Sequence, residues 1–169
     1  MQHRFVAAGT DDRGFGIIRN DGPSQAAVKL EGPAVSGGKN PKVLLERQYR
    51  YAAQAELWEL PAGKIDAGES PLRSAKRELL EETGYTATDW QFVCTIHNAI
   101  AYADEHLDIY LARGLTEGQR KLDEEEFLDV FKASIDDLLA WVKEGKVTDV
   151  KTIIGAFWLE KIQANAWQL

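Results

Sequence analysis

The chain lacks several features that define whole classes of proteins. Cys94 is the single cysteine among 169 residues, which excludes an intramolecular disulfide and a cysteine-based zinc site and favours a reducing cytoplasm. No apolar run approaches the roughly 20 residues needed to span a bilayer, and the opening residues contain no apolar run of the secretory type. We therefore expect a cytoplasmic protein with no membrane partner.

Positive charge is also scarce. Lys and Arg number 20 against 27 Asp and Glu, which gives a formal net charge of −7. A nucleic-acid-binding surface needs clustered Lys and Arg to neutralise phosphates, so we expect no nucleic-acid partner, and a phosphate substrate would need bound cations. With 44% hydrophobic and 28% charged residues, the composition is typical of one folded domain with a sizeable core.

Alternating or apolar segments bounded by turn residues predict a strand-rich chain with three helices. The turn signal Asp21-Gly22 favours a hairpin, and Ser134 with Asp137 three residues later is typical of a helix start. The predicted strands are 14–20, 25–31, 43–50, 90–96, 106–112 and 127–131. The predicted helices are 71–83, one from Ser134 to near Gly145, and one from Thr148 or Asp149.

The most informative stretch is 60–85, LPAGKIDAGESPLRSAKRELLEETGY. Pro71 suits a first helical turn and Gly84 a left-handed stop, while Ser70 or Glu69 can cap the helix. At about 100° per residue, three glutamates then share roughly 100° of arc. They are Glu78, Glu81 and Glu82.

Such a cluster of like charges is unfavourable unless cations relieve it. Carboxylate oxygens are the ligands that Mg²⁺ and Mn²⁺ prefer, and Mg²⁺ also binds substrate phosphates. The alternative is a solvated acidic helix on which Arg77 pairs with Glu81.

The glycine and charged positions of this stretch resemble the Nudix hydrolase box throughout, and Tyr85 takes its closing hydrophobic position. The matching residues are Gly63, Glu69, Arg77, Glu78, Glu81, Glu82 and Gly84. A complete box favours metal binding over the solvated helix. The resemblance implies an α/β/α sandwich around a central mixed sheet, with residues 1–42 as N-terminal antiparallel strands, often exchanged in a homodimer, and 43–169 as the hydrolase domain.

The same resemblance implies the metal site. Glu78 and Glu82 are expected to be the main ligands of Mg²⁺, for which Mn²⁺ can substitute. Glu81 is expected to complete or orient a further metal, and the carbonyl of Ala62 to join them. Glu69 and Arg77 are expected to hold the loop and the helix together.

From Val43 onward, short segments in the same order are similar to the ADP-ribose and nucleotide-sugar pyrophosphatase branch. They are RQYR (47–50), ELPAGKID (59–66), ADEHLDIYLARGL (103–115), DEEEFLDV (123–130) and EGKVTDVKTI (144–153). This branch implies that Arg50 reaches substrate phosphates and that Glu105 lies near the metals or substrate. It also implies that Glu126, or else Glu124, is the catalytic base. The alternatives are a surface ion-pairing arginine and a charged loop tip.

One departure bears on the substrate. The ADP-ribose type has a proline shortly after the box, whereas this chain has none after Pro71, and the corresponding stretch is HNAIAYADE (97–105). We therefore expect metal-dependent hydrolysis of a nucleoside diphosphate sugar, and ADP-ribose, GDP-mannose and a broad range of such sugars stay open as the specificity. The alternatives are a dinucleoside polyphosphate, a nucleoside triphosphate or a non-catalytic sensor. The base-stacking aromatic stays open among Tyr49, Tyr51, Trp58 and Tyr102.

Overall fold

The structure is a computed structural model that describes residues 28–31, 41–101, 103–120 and 128–169, with side chains from residue 41 onward. The elements are β1 Val28–Glu31, β2 Lys42–Arg50, β3 Ala55–Glu59, α1 Pro71–Thr83, β4 Tyr85–His97, β5 His106–Glu117, β6 Leu128–Ser134, α2 Ile135–Lys143 and α3 Val150–Gln163.

The described strands form a mixed sheet around β2. Strand β2 pairs antiparallel with β1, β3 and β6, and β1 pairs parallel with β5, which in turn pairs antiparallel with β4. The predicted mixed sheet is therefore confirmed. The first strand of the predicted hairpin, 14–20, lies outside the described residues.

Strand β2 lies in the middle layer of the fold, with helices packed on both of its faces. Its residues 43–46 are all buried, which is typical of a strand covered on both faces. Because side chains alternate between the two faces, Val43 and Leu45 pack in one cluster with residues of α2 and α3, whereas Leu44 packs with Leu79 of α1. Helices thus cover both faces of the sheet, which confirms the predicted α/β/α sandwich.

Local signals place all three helices as predicted. Ser70 caps α1 through a hydrogen bond from the Arg73 amide, and Gly84 ends it at φ 76°. Ser134 and Asp137 form a capping box at the start of α2. At α3, Asp149 accepts a hydrogen bond from the Thr152 amide and is the cap.

The strand predictions were less complete. Strand β3 was not predicted, although it forms five residue pairs with β2. Strand β4 begins at Tyr85 and β5 extends to Glu117, each five residues beyond its predicted limit. These extensions pair with each other from Tyr85 opposite Glu117, so cross-strand pairing extends them where the sequence alternation is weak. In the part of the chain described, no helix is both long and apolar enough to cross a membrane.

Candidate active site

The acidic face of α1 opens on a cavity of about 430 Å³. Strand β2 contributes Gln48 and Arg50, whose alternate positions share one face of the strand. The loop before α1 forms the remaining wall. The lining residues are Gln48, Arg50, Ala62, Gly63, Lys64, Asp66, Arg77, Glu78, Glu81 and Glu82. The structure therefore gathers Arg50 and all four predicted metal ligands around one space.

Arg77 connects the glutamates to the loop. Its Nη1 donates to Glu78 Oε1 at 2.8 Å and to Glu81 Oε2 at 2.9 Å. Its Nη2 donates to Glu69 Oε2 at 3.0 Å and to the carbonyl of Lys64 at 2.9 Å. The hydrogen bonds with Glu69, and then those with the other two glutamates, raise the pKa of Arg77. This geometry supports the expected bridging role of Arg77 and Glu69.

Gly63 permits a close approach between the loop and α1. A Cβ at this position would lie 1.9 Å from Cδ and Oε1 of Glu78. The Glu78 carboxylate thus occupies the space that any side chain at 63 would fill, and it packs directly on the backbone beside Ala62. Gly63 does not have a positive φ. The close contact with Glu78, rather than the backbone conformation, therefore requires a glycine here.

The donor set has the chemistry of a site for a hard divalent cation. Three glutamates and a backbone carbonyl supply only oxygen ligands, as Mg²⁺ and Mn²⁺ prefer. Within residues 41–101, 103–120 and 128–169, no three acidic, histidine or cysteine side chains are gathered closely enough to hold a metal by themselves. Arg77 binds one oxygen of Glu78 and one of Glu81, so a cation at these two carboxylates would compete with its guanidinium. Since Mg²⁺ usually keeps several waters and uses substrate phosphates as ligands, the donors fit such an ion without a complete protein cage.

A second cavity of about 500 Å³ adjoins the first and shares Arg50 and the loop residues 62–64 with it. Its floor contains a buried ion-pair network centred on Glu59, which is 2% exposed. Arg50 donates to Glu59 through Nε at 2.6 Å and Nη2 at 2.8 Å. Lys151 Nζ lies 2.6 Å from Glu59 Oε2 and 3.2 Å from Asp149 Oδ2.

This network sets the charge of Glu59. Burial alone would raise the pKa of its carboxyl group, but the hydrogen bonds from Arg50 and the charges of Lys151 and Arg50 lower it to about 2. Glu59 is therefore ionised near neutral pH, and it fixes Arg50 at the junction of the two cavities. Arg50 keeps 40% of its side chain exposed there, so its ion pair is compatible with the predicted contact with phosphate.

The remaining predicted site residues are three glutamates and the aromatic candidates for base stacking. Glu105 lines the second cavity and accepts a hydrogen bond from Asn98 Nδ2 at 3.0 Å. Glu124, Glu126 and Tyr102 lie outside the described residues.

The aromatic candidates in the described part differ in their surroundings. Trp58 packs edge-on against Phe131 and Trp141, so it belongs to the apolar packing. Tyr49 and Tyr51 are exposed.

Sequence reasoning missed Glu59, Asp149 and Lys151 as members of the site. The segments that contain them resemble the family, but this resemblance implies no role for the three side chains. One signal was available: Lys151 lies in the first turn of a predicted helix, where the helix dipole disfavours a cation.

Comparisons with known proteins identify the family of this chain. The NUDIX domain matches residues 33–153, and the chain belongs to the Nudix family. A solved structure described as "Crystal structure of ADP compounds hydrolase" shares the fold with a TM-score of 0.72 at 20% identity, covering 89% of this chain and 77% of that chain. The family match, together with the two relatives that follow, shows that the chain is a hydrolase acting on pyrophosphate bonds.

Two relatives are more similar in sequence. The ADP-ribose pyrophosphatase of Bacillus subtilis (strain 168) is 36% identical over 125 residues, which cover 73% of this chain and 68% of the relative. The methanol dehydrogenase activator of Bacillus methanolicus has the same identity and coverage. The predicted resemblance to the ADP-ribose pyrophosphatase branch is confirmed.

Proposed function

We propose that the protein hydrolyses the pyrophosphate bond of nucleoside diphosphate sugars, such as ADP-ribose or GDP-mannose, in a reaction that depends on Mg²⁺ or Mn²⁺. One observation carries the proposal: Glu78, Glu81 and Glu82 line the same cavity as Arg50. Oxygen donors for a cation thus share one cavity with a half-buried guanidinium, and a diphosphate requires both kinds of group.

Each residue has a part in the proposed reaction. Glu78, Glu82, Glu81 and the carbonyl of Ala62 would hold the metal, which neutralises phosphate charge and lowers the pKa of bound water. Arg50 would bind a phosphate oxygen and orient the diphosphate.

The bond change follows from hydrolysis. A water oxygen bonds to one phosphorus, the bridging P–O bond breaks, and the products are a nucleoside monophosphate and a sugar phosphate. Glu126, or else Glu124, would accept the water proton. A base must lie within hydrogen-bond reach of the water, and the expected position comes from the family resemblance.

The named relative from Bacillus subtilis supports ADP-ribose as one substrate. The missing loop proline in 97–105 argues for a broader range that includes GDP-mannose. We further propose a homodimer, from the family resemblance, and a location in the cytoplasm, from the single cysteine.

A hydrolysis panel with Mg²⁺ or Mn²⁺ tests the proposal. The compounds are ADP-ribose, ADP-glucose, GDP-mannose, UDP-glucose, a diadenosine polyphosphate, dGTP and NADH, with products separated by chromatography. Preference for nucleotide sugars with two monophosphate products supports the proposal, and preference for dGTP, the diadenosine polyphosphate or NADH would overturn it. The variant Glu82→Gln, measured in parallel, controls for a contaminating hydrolase. Tight binding of a nucleotide sugar without turnover would favour a sensor.

A further inference from the structure

Lys151 occupies a position that local rules disfavour. It is the second residue of α3, close to the positive end of the helix dipole, and its side chain is only 7% exposed. Buried lysines need a charged partner, and here Glu59 supplies one. Departures from local rules are concentrated at functional sites, and this ion pair lies in the wall of the second cavity.

The ion pair is not needed simply to attach α3. Thr152, the next residue, accepts a hydrogen bond from the Leu60 amide at 2.8 Å, so α3 is joined to the end of β3 without Lys151. Apolar residues of α3, including Ala156 and Leu159, also pack in the main core cluster. Lys151 instead affects the net charge of the residues around Arg50.

Four charged groups form one connected network: Arg50, Glu59, Lys151 and Asp149. With two cations and two anions its net charge is zero. Without Lys151, Glu59 would neutralise Arg50 entirely, and Asp149 would leave an excess negative charge on the wall of the second cavity. With Lys151 satisfying Glu59 from the buried side, the exposed part of Arg50 can act on an anion.

We propose that Lys151 is a positioning residue: through Glu59 it holds the Arg50 guanidinium at the junction of the two cavities and preserves its positive field for a substrate phosphate. This inference rests on the proposed function only in assigning a phosphate to Arg50. It does not depend on which nucleotide is hydrolysed. The role of Lys151 can therefore be measured with a diphosphate that carries neither nucleoside nor sugar.

The test is calorimetric binding of methylenediphosphonate, whose P–C–P linkage is not hydrolysed, to the full chain with Mg²⁺. Lys151→Met gives the network a net charge of −1 and is expected to weaken binding roughly tenfold. Lys151→Arg keeps the charge and is expected to bind within about twofold of the wild type. Asp149→Asn gives +1 while keeping a good helix cap, and it is expected to tighten binding roughly threefold.

The double variant Arg50→Ala/Lys151→Met tests the route of the effect. If Lys151 acts through Arg50, the loss caused by Lys151→Met largely disappears in the Arg50→Ala background. Additive losses would overturn the positioning role, as would unchanged binding by Lys151→Met. If Lys151→Met does not fold, Lys151→Gln, which also removes the charge, replaces it in the same comparison.

Failure of the proposed function would look different. A wild-type protein that binds the diphosphonate with the expected charge dependence but hydrolyses no nucleotide sugar would leave the role of Lys151 intact. A wild-type protein that fails to bind the diphosphonate would overturn it.

Discussion

Gly63→Ala is expected to lower the activity strongly while it changes the free energy of unfolding only a little. The new Cβ would lie 1.9 Å from the Glu78 carboxylate, and ordinary contact begins at 3.4 Å, so the carboxylate must retreat by about 1.5 Å. The obstructing atoms are the far end of a flexible side chain. The free energy of unfolding should therefore fall by no more than about 1 kcal/mol.

Activity should respond much more strongly. A misplacement of about 1 Å near the reacting groups can lower the rate about 100-fold, and Glu78 is a proposed metal ligand. We expect a loss of about this size in kcat/KM on the best substrate of the panel, together with weaker Mn²⁺ binding measured by electron paramagnetic resonance.

Gly145→Ala is the matched control. This glycine has a φ of +73° with open space around the added Cβ, so alanine should cost about 1 kcal/mol through backbone strain alone. Its activity should match the wild type, because the residue lies beyond α2, away from both cavities. A Gly63→Ala enzyme with unchanged turnover and Mn²⁺ affinity would refute the assignment of Glu78.

Three further predictions concern single carboxylates. Glu82→Gln should lower turnover roughly 100- to 1,000-fold with a native circular dichroism spectrum, because it removes a proposed metal ligand; near-normal turnover at saturating Mg²⁺ would contradict this. Glu126→Gln should lower turnover while Mn²⁺ affinity is kept, whereas a larger loss from Glu124→Gln would identify that residue as the base. Glu59 has a pKa of about 2 against an ordinary 4.5, so its ionised form should contribute about 3 kcal/mol of stability above pH 4.5, lost as the pH falls towards 2. Urea unfolding of Glu59→Gln and wild type should accordingly converge at low pH, and a constant difference would disprove the linkage.

Local chemistry made much of the site predictable from sequence. Ser70, Pro71 and Gly84 specify the limits of α1 within one helix, and helical geometry then determines which glutamates share a face. The apolar run of β2 likewise indicates a strand buried on both faces. In each case the determining residues are neighbours along the chain.

The charge network could not be predicted in this way. Glu59 and Lys151 are 92 positions apart, and nothing near either residue specifies the other. The ends of β4 and β5 depend similarly on their mutual pairing rather than on their own alternation. Such features follow from the tertiary arrangement, which a single sequence constrains only weakly.

The distance between Glu59 and Lys151 along the chain has a consequence for biosynthesis. Chains grow from the N-terminus and emerge progressively, so the acidic helix and its loop are available well before α3 exists. Until residues 149–152 emerge and dock, Glu59 lacks its lysine and the Leu60 amide lacks the Thr152 hydroxyl. Contacts of such long range form late because loop closure must precede them. A nascent chain can therefore display the entire acidic helix α1 and still lack the ion pair between Glu59 and Lys151.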